Sequence, residues 1–379
     1  MSIDPGKVVP VEDLVKIAIK EAMAKRLEAE AIKPSAFREA FEDLAETASS
    51  IPSVKKITAS DLKPNQMLAT ELFGTAVRFS PDKDFVVTVF NEEDWDEKIR
   101  GFIPKIDPTY YLDKDHVTNI LKGWEMNEKI LAYGATGVGK TSLFEQLCAH
   151  TKRPFIRINS TGDMDSSMVF GSVTAKDGST GWADGLVTEA VRYGAVVAWD
   201  EWDVTPPEIA MGMQWLLEES GKLFLKEMPG TAEEKFITPH QEFRIVAIGN
   251  TQGQGDDTGA HSGTNVQNTA TLDRFTTAMK FEYLKEDVEI NLIQNKFPLR
   301  NIADTKALVR FINVIRQGYT SGQLGLTMSP RSTLSICKKM AFGYSLLSAM
   351  ELTYINKLTE THQKVARELF RKVYGTKTT

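Results

Sequence analysis

A glycine-rich loop between an apolar strand and a helix constrains the fold of this chain more than any other stretch. The run Tyr133-Gly134-Ala135-Thr136-Gly137-Val138-Gly139-Lys140-Thr141-Ser142 contains the pattern G-x-x-x-x-G-K-[ST]. It follows the apolar segment 130–133 and precedes a helical pattern from Ser142 to Ala149. Glycines allow backbone N–H groups to surround phosphate oxygens, and a helix N-terminus adds partial positive charge there. The pattern therefore predicts a phosphate-binding P-loop rather than an ordinary glycine-rich turn.

The polar residues of this loop suggest which ligand it holds. Lys140 supplies a positive charge for β- and γ-phosphates, and the Thr141 hydroxyl can coordinate Mg²⁺. We therefore expect ATP and Mg²⁺ as cofactors, with Thr141 as one metal ligand. The predicted nucleotide-binding residues of the loop are Gly134, Ala135, Thr136, Gly137, Val138, Gly139, Lys140, Thr141 and Ser142.

A second apolar strand, 195–199, ends in two carboxylates, Asp200 and Glu201. This is a Walker B pattern. We expect Asp200 to hold the metal ion, directly or through water, and Glu201 to polarise the attacking water, because phosphoryl transfer requires positioning and charge neutralisation. The alternative is that both acids cap the helix that begins near Pro206.

Further strands predict a parallel sheet. The segment 155–158 follows the P-loop helix as a buried strand, and a strand–helix–strand unit implies parallel pairing. Asn250 directly follows another strand pattern, 243–248. Because the carboxyl ends of parallel strands line the ligand crevice, we expect Asn250 to hydrogen-bond the γ-phosphate or the lytic water. A turn-forming role for Asn250 is the alternative.

Two arginines downstream are candidates for stabilising transition-state charge. Arg274 lies in the run 272–275 and could act on the nucleotide of a neighbouring subunit; a surface ion pair with Asp273 or Asp287 is its alternative. Arg331 opens a helix after Ser329 and Pro330, from where it could reach the γ-phosphate. Tyr111 or Leu112, ahead of the P-loop strand, is a weaker candidate for a wall of the base site.

The chain divides into three predicted segments. Residues 1–96 form an N-terminal accessory module, with helices at about 11–32 and 34–48 and a short strand within 85–90. Residues 97–284 form an α/β core that carries an insert at about 163–192 and a β-hairpin at about 222–237. Residues 285–379 form an α-helical lid, since no strand pattern competes there. A solvated charged arm with one hairpin is the alternative for the first segment.

Composition narrows the function classes. A net charge of −6 disfavours binding to nucleic acid or to an anionic membrane surface. No apolar run reaches the roughly 18 residues that span a bilayer, so we expect a cytoplasmic protein without a membrane partner. The two cysteines, Cys148 and Cys337, lie in helical patterns and are expected as buried thiols in a reducing compartment. The five histidines are scattered without metal-ligand spacing.

Taken together, the P-loop, Asp200-Glu201, Asn250, the run 272–275 and Ser329-Pro330-Arg331 resemble the AAA+ ATPases of the MoxR and chelatase branch. The runs Asp107 to Tyr110, Trp199 to Asp203 and Gly255 to Gly259 look like those of cobaltochelatase ATPase subunits of the CobS type. The resemblance covers roughly residues 98–339. It implies a hexameric ring, Arg274 as an arginine finger acting in trans, Arg331 as a lid sensor, and a protein partner that is a chelatase subunit or carries a von Willebrand A type domain. The family's Tyr in the Asp-Glu-Tyr-Asp run is Trp202 here.

Three functions remain open on the sequence. The first is an ATP-driven ring that remodels a partner protein. The second is a nucleic-acid translocase, which the mixed, slightly acidic hairpin turn 226–234 disfavours because such pores present basic and aromatic residues. The third is a nucleotide-gated scaffold that hydrolyses little, which the presence of Lys140, Glu201 and Arg274 disfavours.

Overall fold

The computed structural model describes residues 62–77, 79, 84–176, 178–253, 267–297 and 302–375. The helices predicted at about 11–32 and 34–48 lie outside these residues. So does the run Gly255 to Gly259 that contributed to the family resemblance.

A five-stranded parallel sheet forms the centre of the described structure. Its spatial order is β11-β3-β10-β7-β4, and every neighbouring pair is parallel. The predicted α/β fold with a parallel sheet is confirmed. The bounds of these strands are β3 Ile130–Gly134, β4 Phe155–Asn159, β7 Val196–Asp200, β10 Arg244–Gly249 and β11 Thr277–Phe281.

The central strands β7 and β10 are buried throughout because both faces of the sheet are covered there, whereas the edge strands β4 and β11 alternate between buried and exposed residues. On β7, Val197 and Trp199 join one hydrophobic cluster, and Val196 and Ala198 join the cluster on the opposite face. The helices of this part are α1 Ala69–Phe73, α2 Glu97–Arg100, α3 Lys114–Glu125, α4 Lys140–Thr151, α5 Ser166–Val169, α6 Leu186–Tyr193, α7 Pro207–Gln214 and α8 Thr269–Asp273.

Two antiparallel hairpins accompany the central sheet. The insert within 163–192 consists of α5 and the antiparallel strands β5 Gly171–Lys176 and β6 Ser179–Asp184, after which α6 begins. The second hairpin pairs β8 Leu223–Phe224 with β9 Phe236–Ile237. The helix predicted to begin near Pro206 is α7, which ends at Gln214 and is followed by a 3₁₀ turn at Trp215–Leu217.

Residues 62–96 pack against the sheet and contribute to its core. Strands β1 Gln66–Leu68 and β2 Val86–Thr88 pair as a small antiparallel sheet beside α1. Phe73 and Phe85 lie in the same hydrophobic cluster as Trp124 of α3 and Phe144 of α4. The three-segment division of the chain stays a prediction.

The C-terminal part is helical, and it has its own hydrophobic cluster around Phe311, Ile312 and Met350. Cys337 is buried there, as Cys148 is in the α/β part, and both are free thiols. No helix among the described residues is both long and apolar enough to cross a membrane. The five helices are α9 Glu286–Lys296, α10 Ile302–Thr320, α11 Pro330–Ala341, α12 Leu346–Thr353 and α13 Glu360–Tyr374.

Candidate active site

A cavity of about 390 Å³ opens at the carboxyl ends of the central strands. It lies where β3, β7 and β10 end and α4 begins, which is where ligands bind in parallel α/β sheets. Ten of the predicted site residues line it: Thr136, Gly137, Gly139, Lys140, Thr141, Ser142, Asp200, Glu201, Asn250 and Arg331.

Two glycines of the P-loop are required because neighbouring elements lie too close to leave room for a side chain. Gly137 has φ +74°, and a Cβ there would lie 2.6 Å from the Cβ of Ser329. Gly134 has φ +139°, and a Cβ there would lie 2.1 Å from the carbonyl oxygen of Phe281 on β11. A residue with a side chain would therefore be strained at either position and would displace a neighbouring element.

Lys140 is buried and its ammonium faces neutral oxygens. Nζ donates to the carbonyl oxygens of Gly134 and Ala135 at 2.7 and 3.0 Å and to Oδ1 of Asn250 at 3.2 Å. Burial lowers the pKa of Lys140, although Glu201 and Asp200 oppose that shift. Because no carboxylate among the described residues is bonded to Nζ, the lysine can exchange a neutral partner and donate to a phosphate oxygen instead.

Asp200 and Thr141 offer the oxygens of a metal site. Oγ1 of Thr141 donates to Oδ2 of Asp200 at 3.0 Å, and the carboxylate is almost fully buried. A hydroxyl and a carboxylate suit Mg²⁺, which takes few protein ligands and completes its shell with phosphate and water. The described residues contain no cluster of three His, Cys, Asp or Glu side chains able to hold a metal on their own.

Glu201 is the second carboxylate at the end of β7, and its backbone is left-handed, with φ +52°. Nδ2 of Asn250 donates to its Oε2 at 2.8 Å. Burial raises the pKa of Glu201, and the charges of Asp203 and Asp200 raise it further, against the bond from Asn250. Glu201, the predicted water-polarising acid, is thus in direct contact with Asn250, which follows the neighbouring strand β10.

Two residues of this site were not found from the sequence. Arg157 of β4 lines the cavity, and its Nη2 lies 2.5 Å from Oδ2 of Asp200. Asp203 is fully buried, and its Oδ2 accepts both the backbone N–H and the hydroxyl of Thr251. Asp203 ends the run Trp199 to Asp203, which carries the family resemblance but did not reveal a role for this residue. No local motif marks Arg157, and only strand neighbourhood could have indicated it, since β4 lies beside β7.

The two predicted arginines differ in position. Arg331 lines the cavity from the start of α11. Arg274 is not among the cavity residues; it donates to Oε1 of Glu218 at 3.1 Å and to the carbonyl oxygen of Ala270. Its ion pair is therefore with Glu218, and neither Asp273 nor Asp287 is its partner. The structure does not bring Arg274 to the nucleotide cavity of its own chain.

A second cavity, of about 340 Å³, continues the site beside the P-loop. Tyr110, Tyr111 and Val138 line it together with Leu334 of α11. Leu112 is buried and does not line it. Oη of Tyr110 donates to the carbonyl oxygen of Gly139 at 3.2 Å, and burial raises the pKa of this tyrosine. The largely apolar walls beside the phosphate loop suit a flat aromatic base.

This fold and site define a P-loop nucleotide-binding protein of the ATPase type. The comparison with protein families agrees, because residues 129–275 match the model for the AAA domain (dynein-related subfamily). The chain thus carries an AAA domain.

The chain is 28% identical over 324 residues to the aerobic cobaltochelatase subunit CobS of a Sinorhizobium species, covering 83% of this chain and 92% of that protein. It is 32% identical over 152 residues to midasin of Dictyostelium discoideum, covering 38% of this chain and only 2% of midasin. Among solved structures it is similar to a RuvB mutant of Thermotoga maritima, with a TM-score of 0.39 and 13% identity over 73% of this chain and 75% of that one. At that TM-score the likeness carries no argument about function.

Proposed function

We propose that this protein is a Mg²⁺-dependent ATPase that assembles into a homo-oligomeric ring and remodels a partner protein. The observation that supports this best is that the P-loop, two strand ends and the helical segment meet at one cavity. Lys140 comes from the P-loop, Glu201 and Asn250 come from the ends of neighbouring strands, and Arg331 comes from the helical segment. Such a set can hold a triphosphate and respond to its hydrolysis.

Each residue has a role in this proposal. Lys140 exchanges its carbonyl partners for phosphate oxygens, and Thr141 with Asp200 would hold Mg²⁺. When bound, the ion would neutralise charge on the phosphates. Glu201, oriented by Asn250, accepts a hydrogen bond from the attacking water and polarises it. Arg331 stabilises the charge on the terminal phosphate from the lid side.

Arg274 acts in trans in the proposed ring. Its guanidinium lies outside the cavity of its own chain, and a single half-exposed carboxylate, Glu218, holds it. Such an exposed pair is weak, so the arginine can be redirected to a neighbouring subunit. We take six as the expected subunit number and the cytoplasm as the expected location.

The likeness to CobS over most of both chains supports a partner of the chelatase kind. A large chelatase subunit or a protein with a von Willebrand A type domain is the proposed client, and any metal insertion would take place on that client. Capture from an extract of the native host with Glu201→Gln, held in ATP, tests the client. Recovery of nucleic acid without protein would contradict it.

Steady-state hydrolysis tests the enzyme. Lys140→Ala should lose ATP binding, whereas Glu201→Gln should bind ATP while turnover falls about 10²- to 10⁴-fold. Arg274→Ala should still assemble and should lose about 10³-fold in turnover. Glu208→Gln, an exposed acid on α7, is the control and should hydrolyse as the unaltered protein does. Unchanged turnover in Glu201→Gln would refute the site.

A further inference from the structure

The side chain of Arg157 lies on the carboxylate oxygen that the proposed metal site needs. Its Nη2 is 2.5 Å from Oδ2 of Asp200, the same oxygen that accepts the hydroxyl of Thr141 at 3.0 Å. The other oxygen, Oδ1, accepts the backbone N–H of Glu201 at 3.2 Å. Among the described residues Asp200 is the acid paired with Arg157. Oδ2 of Asp200 therefore contacts Arg157 and is also one of the oxygens of the proposed metal site.

The strand pattern explains why the guanidinium reaches this point. On β4, Ile156 and Ile158 are buried, and the intervening Arg157 lies on the opposite face, toward the cavity. Arg157 is the register partner of Ala198, two residues before Asp200 on β7. Because partners in a parallel ladder share a face, the small Ala198 leaves room for the arginine to extend along β7 to the carboxylate.

A metal ion and a guanidinium exclude each other at such an oxygen. Mg²⁺ binds oxygen at about 2.0–2.1 Å in near-octahedral geometry, which leaves no room for a second cation on the same lone pairs. Two positive charges a few ångströms apart also repel each other. Because the hydroxyl of Thr141 already donates to Oδ2, direct ligation of the ion by this oxygen requires Arg157 to move off it. The side chain of Arg157 is 54% exposed, so it has the freedom to move.

We propose that Arg157 competes with Mg²⁺ for Asp200 and thereby sets how much Mg²⁺ the protein needs to bind ATP in its magnesium form. Without nucleotide, Arg157 neutralises a carboxylate that would otherwise be buried beside Glu201 and Asp203. When the magnesium nucleotide binds, the guanidinium leaves Oδ2, as its exposure allows. This role rests on the proposed function, because it takes magnesium ATP as the ligand of the cavity.

The size of the effect follows from exposure. An ion pair with one half-exposed partner contributes little, and the range of about 0.2–1 kcal/mol for exposed pairs corresponds to about a 1.4-fold to fivefold change in an equilibrium constant. Removing the charge of Arg157 should therefore lower the Mg²⁺ concentration at half-saturation by about that factor.

The test is a Mg²⁺ titration of nucleotide binding, read by the fluorescence of N-methylanthraniloyl-ATP at constant ionic strength. Full-length protein with Glu201→Gln is used throughout, so that hydrolysis does not contribute to the signal. Arg157→Gln and Arg157→Lys are compared with Arg367→Gln as the matched control. Arg367 lies on α13 and is also partly exposed. It forms one ion pair, with Glu351 of α12 at 3.2 Å.

Arg157→Gln should shift the Mg²⁺ midpoint downward, Arg157→Lys should lie between it and the parent protein, and Arg367→Gln should not shift it. An unchanged or higher midpoint in Arg157→Gln, in protein whose circular dichroism spectrum matches the parent, refutes the competition. A structural role alone would lower the melting temperature and leave the midpoint where it is. If the parent protein binds no nucleotide at any Mg²⁺ concentration, the proposed function fails and this inference fails with it.

Discussion

Two groups of buried charges in this molecule are arranged in opposite ways. In the helical segment, Glu289 of α9 and Arg316 of α10 form a two-point ion pair, with N–O distances of 2.7 and 2.9 Å. Nε of Arg316 donates to the carbonyl oxygen of Met328, Thr333 donates to Glu289, and the guanidinium lies over the ring of Tyr283. We call Glu289 and Arg316 the bundle pair; every charge in it has a fixed opposite charge.

The charges at the cavity lack such fixed partners. Lys140 is bonded to neutral oxygens, Glu201 to the amide of Asn250, and Asp200 to an arginine that is half exposed. Oδ1 of Asp203 is buried without a hydrogen-bond partner among the described residues. The bundle pair is therefore complete by itself, whereas the incomplete pairing of the cavity charges suits the proposed phosphate, metal ion and water.

The comparison separates structural from functional burial of charge. A complete buried pair costs much to break, because the remaining charge is stranded away from water. A buried charge with neutral partners can be altered with less effect on stability and more on chemistry. Stability should thus respond to the bundle pair, and activity to the cavity.

The largest expected effect on stability comes from Glu289→Gln. This change keeps the shape of the side chain but leaves Arg316 charged and 7% exposed. We expect the free energy of unfolding of the helical segment to fall by about 3–5 kcal/mol. The hydrogen exchange of amides in α10 measures it.

Arg310→Gln is the matched control. Arg310 lies on α10, as Arg316 does, and pairs with Glu286 of α9, but its side chain is 71% exposed. Arg310→Gln should change stability by less than about 1 kcal/mol. The double change Glu289→Leu with Arg316→Met should recover much of the loss, because it strands no charge. If Glu289→Gln lowered the free energy of unfolding by less than about 1 kcal/mol, the contrast between the bundle pair and the cavity charges would be wrong.

The sequence predicted the parts of the site that local patterns encode. The P-loop, Asp200 and Glu201 follow from short motifs, and Asn250 follows from the rule that ligands bind at the carboxyl ends of parallel strands. These residues meet at one cavity in the structure. Their roles in hydrolysis stay predictions. The helical character of the C-terminal part was also predicted, because no strand pattern competes there.

The parts that were missed depend on distant partners. Strand β11 has only Met279 and Phe281 as buried apolar residues, too short a pattern to be recognised, and pairing with β3 gives it its place. Arg157 owes its place to the neighbouring strand β7, and the bond between Asp203 and Thr251 joins segments that follow two neighbouring strands. Single-sequence patterns do not contain such contacts.

A medium effect is expected from Asp203→Asn, which tests the cavity side of the comparison. The charge of Asp203 helps to raise the pKa of Glu201, after burial itself. If Glu201 must be ionised to polarise water, turnover falls as pH drops through its pKa. Removing the neighbouring charge lowers that pKa, so the acid limb of the pH–rate profile should move to lower pH.

The asparagine can still accept the two hydrogen bonds from Thr251, so the fold should be kept. Asp184→Asn is the control, because Asp184 is partly buried and paired with Arg192 away from the cavity. It should leave the acid limb in place. An acid limb that moves to higher pH in Asp203→Asn would contradict the assignment of Glu201.

The smallest effect is expected at a pair that belongs to neither group, His116 with Asp113 at the start of α3. Both side chains are partly exposed, and Nδ1 of His116 lies 2.9 Å from Oδ1 of Asp113. The hydrogen bond with Asp113 raises the pKa of His116, and the same bond lowers the pKa of Asp113. By its exposure this pair should contribute less than about 1 kcal/mol to the free energy of unfolding.

The pH dependence of this contribution has a defined sign. The raised pKa of His116 gives stability that is fully present below its ordinary value of 6.5 and is lost as pH rises through the folded value. The lowered pKa of Asp113 gives stability that is present above its ordinary value of 3.8 and is lost as pH falls through the folded value. Asp113→Asn keeps a helix cap but removes the charge. The loss of stability that it causes, measured by urea unfolding, should be greatest between pH 3.8 and pH 6.5. The loss should fade as pH rises beyond the folded pKa of His116. Asp96→Asn, which alters the cap of α2 where no histidine is paired, should show no such window. If Asp113→Asn destabilised the protein equally at all pH values, Asp113 would contribute only as a helix cap. The attraction between Asp113 and His116 would then be fully screened by solvent.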